Sequence, residues 1–155
     1  MMDELRELYQ EVILDHGRDP RNHRCPAEAN RHAQGNNPIC GDKLVVHLTV
    51  DDSGLIRDVA FEGKGCAISI ASASLMTEIL KGKTKDEARA LFDDFHEMCT
   101  KDDFDASAAN GDVDALERLQ VLSGVRQFPM RVKCATLAWH TMNAAMSGET
   151  ETSTE

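Results

Sequence analysis

The spacing of hydrophobic positions changes several times along the chain, and each change marks an element. Within residues 3–16, Leu5, Leu8, Tyr9, Val12 and Ile13 recur at helical spacing, and Gly17 followed by Pro20 supplies a stop. Residues 18–37 show no periodicity; Pro20, Asn22, Pro26, Asn30, Gly35, Asn36 and Asn37 give them the composition of a loop. Leu44, Val46, Leu48 and Val50 then alternate with Val45, His47 and Thr49, which predicts a strand. Asp51-Asp52-Ser53-Gly54 turns the chain into a second strand over 55–61.

A helical period returns with Ile68, Ala71, Leu75, Met76, Ile79 and Leu80, predicting a helix that begins just after Cys66 and stops near Gly82. Thr84 and Glu87 have the spacing of a capping box, ahead of a helix with Ala88, Leu91, Phe92, Phe95 and Cys99 on one face. Residues 100–114 are acidic, contain Asn, Gly and Ala, and read as a loop. Ala115, Leu116, Leu119 and Leu122 predict a short helix, and 124–133 around Pro129 read as extended or irregular. A last helix, starting near Cys134, buries Ala138, Trp139, Met142 and Met146 and ends at Gly148.

Strands early and helices late predict an α+β fold: a small antiparallel sheet, the hairpin plus a third strand, with helices packed on it. With 155 residues the expected organisation is one domain over 1–148 and a polar, disordered tail over 149–155. A chain of this length buries roughly 70% of its unfolded surface, so neither metal nor disulfides are needed merely to fold. The 17 basic and 27 acidic residues give a net charge of −10, which argues against nucleic acid and anionic membrane surfaces as partners. No run approaches a membrane span, and the first residues lack a secretory pattern, so a cytoplasmic location is expected.

In a reducing compartment, five widely spaced cysteines point to metal or thiol chemistry, not to a disulfide framework. Cys40 precedes the first strand and Cys66 follows the second, so the hairpin returns both thiols to one end of the sheet. Cys66 and Cys134 are each expected to open a helix, where free N–H groups and the dipole favour a thiolate. Asp42 offers a carboxylate beside Cys40, with Gly41 letting the backbone bend between them. Cys40, Asp42, Cys66 and Cys134 would complete a tetrahedron around Zn²⁺. Taken singly, a cytosolic cysteine is more often a small buried hydrophobe. Cys99 fits that reading, and Cys25 reads as a spare surface thiol. His47 and His96 read as structural or solvated, while His23 and His32 have no assignable role.

Three motifs, Asn37-Pro38-Ile39-Cys40-Gly41-Asp42, Gly63-Lys64-Gly65-Cys66-Ala67-Ile68-Ser69 and Arg131-Val132-Lys133-Cys134-Ala135, resemble the iron–sulfur cluster assembly proteins of the IscU / NifU N-terminal family. The likeness covers about residues 3–147. Tyr9-Gln10-Glu11-Val12-Ile13-Leu14-Asp15-His16 with Asp19-Pro20-Arg21-Asn22, Gly124-Val125-Arg126-Gln127-Phe128-Pro129, and Leu137-Ala138-Trp139-His140 are similar to its SufU branch. Scaffold members carry a histidine immediately before the third cysteine and a Leu-Pro-Pro-Val-Lys segment read by a chaperone. Here those places hold Lys133, whose ammonium is a poor ligand at neutral pH, and Phe128-Pro129-Met130-Arg131-Val132-Lys133. The long stretch between Cys66 and Cys134 also resembles SufU.

What this resemblance implies is a zinc-bound sulfur acceptor with no independent catalytic site, taking persulfide sulfur from a SufS-type cysteine desulfurase for a downstream iron–sulfur scaffold. Cys40, Asp42, Cys66 and Cys134 would bind the metal. Cys40 would be the mobile sulfur acceptor, a desulfurase histidine replacing it on the zinc. Arg126, Arg131 and Lys133 would support the site or the partner, with ordinary surface solvation the alternative for the two arginines. Two alternatives stay open: a scaffold holding iron or a [2Fe–2S] cluster on the same ligands, and a closed structural zinc adaptor.

Overall fold

The structure, a computed structural model, describes residues 2–38, 40–101, 104 and 112–153. The chain runs α1 (Met2–Arg18), β1 (Arg31–Asn37), β2 (Asp42–Val50), β3 (Ile56–Lys64), α2 (Ala67–Leu80), α3 (Lys85–Thr100), α4 (Val113–Leu119), a 3-10 segment (Gln120–Gln127), α5 (Pro129–Met146) and β4 (Glu151–Ser153). The four strands form one mixed sheet in the order β3-β2-β1-β4. β1–β2 and β2–β3 are antiparallel and β1–β4 is parallel. The fold is the expected α+β arrangement. No helix among the described residues is long and apolar enough to cross a membrane.

The hairpin follows from its alternation. Leu44, Val46, Leu48, Val59 and Phe61 point to one face and are essentially inaccessible, and α2 and α5 cover them. Asp51 shapes the turn by accepting from the Ser53 and Leu55 N–H groups, and Gly54 takes a φ of +85°. α2 is buried on nearly every side between α1, α5 and the sheet, and its Ser72, Ser74 and Thr77 hydroxyls are paired internally. Ser72 donates to the Ala135 carbonyl and accepts from the Trp139 indole, and Ser74 meets the buried His16 ring at 2.7 Å. Thr84 and Glu87 form the expected capping box of α3.

Three expectations differ from the structure. The third strand, β1, lies inside 18–37, which read as a loop. Its core-facing positions are Ala33, Gly35 and Asn37, so it has no apolar alternation, and a Cβ at Gly35 would collide with Thr141 of α5. The last helix starts at Pro129 instead of near Cys134: a proline at the first helical turn lacks only an N–H that has no helical partner there. The tail, expected to be disordered over 149–155, pairs at Glu151–Ser153 with β1, whose outer edge offers free backbone groups. The loop expected at 100–114 falls mostly on 102, 103 and 105–111, outside the described residues.

Candidate metal centre

Each donor is placed by local structure. Asn37 and Asp42 face each other across the β1–β2 ladder, joined by the turn that carries Cys40 and Gly41. Gly41 has a φ of +72°, the left-handed region where a glycine costs little. Cys66 is the N-cap of α2, its sulfur accepting the Ser69 N–H at 3.5 Å. The expectation for Cys66 therefore holds. For Cys134 it does not, because with α5 starting at Pro129 this residue sits in the second turn, away from the free N–H groups.

These placements bring the donors together. One donor atom each from Cys40, Asp42 and Cys134 lies within 4.8 Å of the other two. Cys66 stands beside them: its thiol interacts with that of Cys134, and its backbone N–H donates to Asp42 Oδ1 at 2.9 Å. Accessibility is uneven. Asp42 and Cys134 are each 2% exposed, Cys66 is half-buried and Cys40 is exposed. Burial first, then Cys66, Cys40 and Asp42, push the Cys134 thiol far above the ordinary thiol value.

Three surrounding residues have roles that the sequence reading left unassigned. Asn37, fully buried, donates to Asp42 Oδ2 at 3.2 Å and lies 3.6 Å from Cys134 Sγ. Gly65 leaves room for the carboxylate; a Cβ there would stand 2.8 Å from Asp42 Oδ1 and 3.1 Å from Ser69 Oγ. The Ser69 hydroxyl is buried and has no hydrogen-bond partner among the described residues. The signal for Asn37 and Gly65 was their place inside the cysteine motifs. Ser69 closes the second of those motifs and carried the same signal.

The predicted supporting residues divide. Arg126 donates to the Met98 carbonyl at 2.8 Å, tying the 3-10 segment to the C-terminal turn of α3. Arg131 is exposed and lies over the Phe128 ring, 4.6 Å from its centre. Lys133 is half-buried beside Cys134. Cys99 is fully buried, as expected of a core thiol.

A profile described as the NifU-like N terminal domain matches residues 8–135, a span that includes Cys40, Asp42, Cys66 and Cys134. The chain belongs to this family. It is 41% identical over 146 residues to the iron–sulfur cluster assembly scaffold protein IscU of Streptococcus pyogenes, covering 94% of this chain and 86% of that one. It is 38% identical over 145 residues to the zinc-dependent sulfurtransferase SufU of Bacillus subtilis, covering 94% and 93%. The solved structure of SufU from Fervidobacterium islandicum superposes with a TM-score of 0.75 at 34% identity, covering 88% and 94%. The family is thus one of iron–sulfur cluster assembly, and the likeness is of the SufU type.

The donor set fits zinc. Cys40, Asp42 and Cys134, with the Cys66 thiol beside Cys134, repel one another once ionised, and a cation offsets that repulsion. Thiolate and carboxylate are both accepted by Zn²⁺ in tetrahedral sites. The Ser69 hydroxyl, unpartnered among the described residues, stands across Gly65 from Asp42.

Proposed function

We propose that the chain is a zinc-dependent sulfur acceptor that takes sulfane sulfur from a cysteine desulfurase for iron–sulfur cluster assembly. The observation that carries the reading is the uneven exposure of the donors, with Cys40 open to a partner while Asp42 and Cys134 are enclosed. Cys40, Asp42, Cys66 and Cys134 would hold the zinc, which keeps the thiols ionised without oxidising them. Asn37 and the Cys66 N–H orient the carboxylate, and the Cys66 sulfur rests on the first turn of α2.

The transfer itself is a thiolate displacement. Cys40 Sγ attacks the terminal sulfur of the desulfurase persulfide. A new S–S bond forms at Cys40, the enzyme's S–S bond breaks, and the electron pair leaves on the enzyme cysteine as a thiolate. No net oxidant or reductant is needed. Phe128 and Met130, about half exposed, stand with Arg131 at the start of the helix that carries Cys134, a surface suited to the partner.

The test is desulfurase turnover with and without the protein, together with its zinc content. Wild type should contain about one zinc per chain at this centre and accelerate turnover. Cys40→Ala should abolish the acceleration; full stimulation by that variant would remove Cys40 from the acceptor role. The scaffold reading is favoured by the name of the streptococcal relative. It requires a stable chromophore after anaerobic reconstitution with iron and sulfide, and transfer of that cluster to an apo-protein.

A further inference from the structure

A second group of side chains of metal-ligand type lies on the opposite face of the sheet. Asp42 and His47 both belong to β2, five residues apart, so along the strand they are separated by about 16 Å. Their odd and even positions also put them on different faces. His47 is nevertheless only 5% exposed. It pairs in register with His32 of β1 on one side and Ala60 of β3 on the other, with Glu62 diagonal to it on the same face.

The segment before β1 completes the group. Arg24 N–H donates to the Phe61 carbonyl, Phe61 N–H donates to the Asn22 carbonyl, and the Arg24 guanidinium makes a two-pronged ion pair with Asp58 at 2.8 and 3.0 Å. These bonds fix the chain next to β3 and deliver Cys25. Donor atoms of Cys25, His47 and Glu62 all lie within 4.8 Å of one another.

We propose that Cys25, His47 and Glu62 form a second cation site for a divalent metal of the zinc class. Sulfur, imidazole nitrogen and carboxylate oxygen are all ligands zinc accepts, and three protein ligands leave a fourth position to water. In a tetrahedral site such donors stand about 3.3–3.8 Å apart. The 2.8 Å contact between His47 Nε2 and Glu62 Oε1 would thus open by about half an ångström.

His47 Nδ1 lies 2.6 Å from His32 Nδ1. With Nε2 on a metal, the His47 ring carries its proton on Nδ1 and donates it to His32, the outer hydrogen bond that orients metal-bound histidines. The Cys25 proton leaves to solvent. The His47 ring, and more weakly the Cys25 thiol, already hold the Glu62 carboxyl below its ordinary value, and the His23 ring also faces it. The bound metal would clasp the 22–25 segment to the sheet, independently of the Cys40 centre.

The test uses the full chain, stripped of metal and titrated under reducing conditions with Co²⁺ and with Zn²⁺. Wild type should take two equivalents, and Cys25→Ser and His47→Gln should each take one. Cys25→Ser should also lose part of the cobalt–thiolate absorption. Because Cys25 is exposed, its substitution leaves the fold intact even if the buried His47 variant does not fold. His32→Gln should weaken the second equivalent about 10–100-fold without abolishing it. Desulfurase stimulation should survive Cys25→Ser. Metal uptake by Cys25→Ser equal to wild type in number and affinity, whether one equivalent or two, would overturn the proposal whatever the outcome for Cys40.

Discussion

Gly65→Ala tests the geometry of the proposed zinc site with one methyl group. The added carbon would stand 2.8 Å from Asp42 Oδ1, closer than side-chain carbons approach such atoms. The carboxylate cannot retreat freely, because Oδ1 holds the Cys66 N–H at 2.9 Å and Oδ2 the Asn37 amide at 3.2 Å. Ordinary contact requires a retreat of about half an ångström, which is the limit within which a functional constellation tolerates displacement. Overpacking of this kind costs about 1–3 kcal/mol, and a broken hydrogen bond to a charged group about 1.5–3 kcal/mol. Zinc affinity should fall about 10–100-fold, the size of effect seen when support around a metal is lost, equivalent to about 1.4–2.7 kcal/mol.

The assay is competition for zinc against a chromophoric chelator, with urea unfolding in excess chelator to separate affinity from stability. Two glycines serve as controls. Gly41→Ala meets nothing within 4 Å but must hold a φ of +72°, so its cost is conformational, about 1–2 kcal/mol. Gly124→Ala meets nothing within 4 Å and should leave zinc binding unchanged. The decisive comparison is a double-mutant cycle. In an Asp42→Ala background the clashing oxygen is gone, and Gly65→Ala should cost little. If Gly65→Ala binds zinc like wild type, or costs as much without Asp42 as with it, the placement of the carboxylate against this glycine is wrong.

Two further outcomes concern the rest of the fold. His16 is held below the usual imidazole value by burial and then by Arg21, and His140 by burial and then by His96. The folded state therefore refuses protons that the unfolded chain takes near pH 6.5, so stability present above that pH is lost as pH falls through it. Urea midpoints of chelator-treated protein should drop from pH 8 to 5.5, and His140→Gln should flatten the slope; an unchanged slope would remove His140 from the explanation. Burial pushes the Cys99 thiol up to about 12, partly opposed by Arg126. Native alkylation mapped by mass spectrometry should label Cys25 and Cys40 and spare Cys99, and equal labelling of all three would mean the core around α3 opens readily.

The hairpin and the α3 cap were legible because each is written in one local pattern, alternation in 44–50 and the Thr84–Glu87 pair. β1 was not, since it is held by what packs on it: Gly35 lets α5 approach, and Asn37 is buried for the sake of Asp42 and Cys134. Pro129 was ambiguous between ending one segment and starting another, and only packing of the next helix decides it. The same distinction separates the two candidate sites. Cys40, Asp42 and Cys66 lie at the ends of a hairpin whose return path the sequence reveals. Cys25, His47 and Glu62 meet only through a strand register and a loop anchored by Arg24 and Asp58, neither of which has a local signature.

The four proposed ligands differ in what it would take to move them, and that difference bears on sulfur transfer against cluster storage. Cys134 sits within α5, between helical turns on both sides, so withdrawing it would break backbone hydrogen bonds. Asp42 is the first residue of a ladder and is held at both oxygens. Cys66 caps a helix whose other residues are almost all buried. Cys40 alone is carried by a turn, next to a glycine at positive φ, and is itself exposed. A store for a cluster gains from four equally fixed ligands. A sulfur acceptor needs one thiol that can leave the metal while three anchors stay, and Cys40 is the only one of the four that can move without dismantling a helix or a sheet.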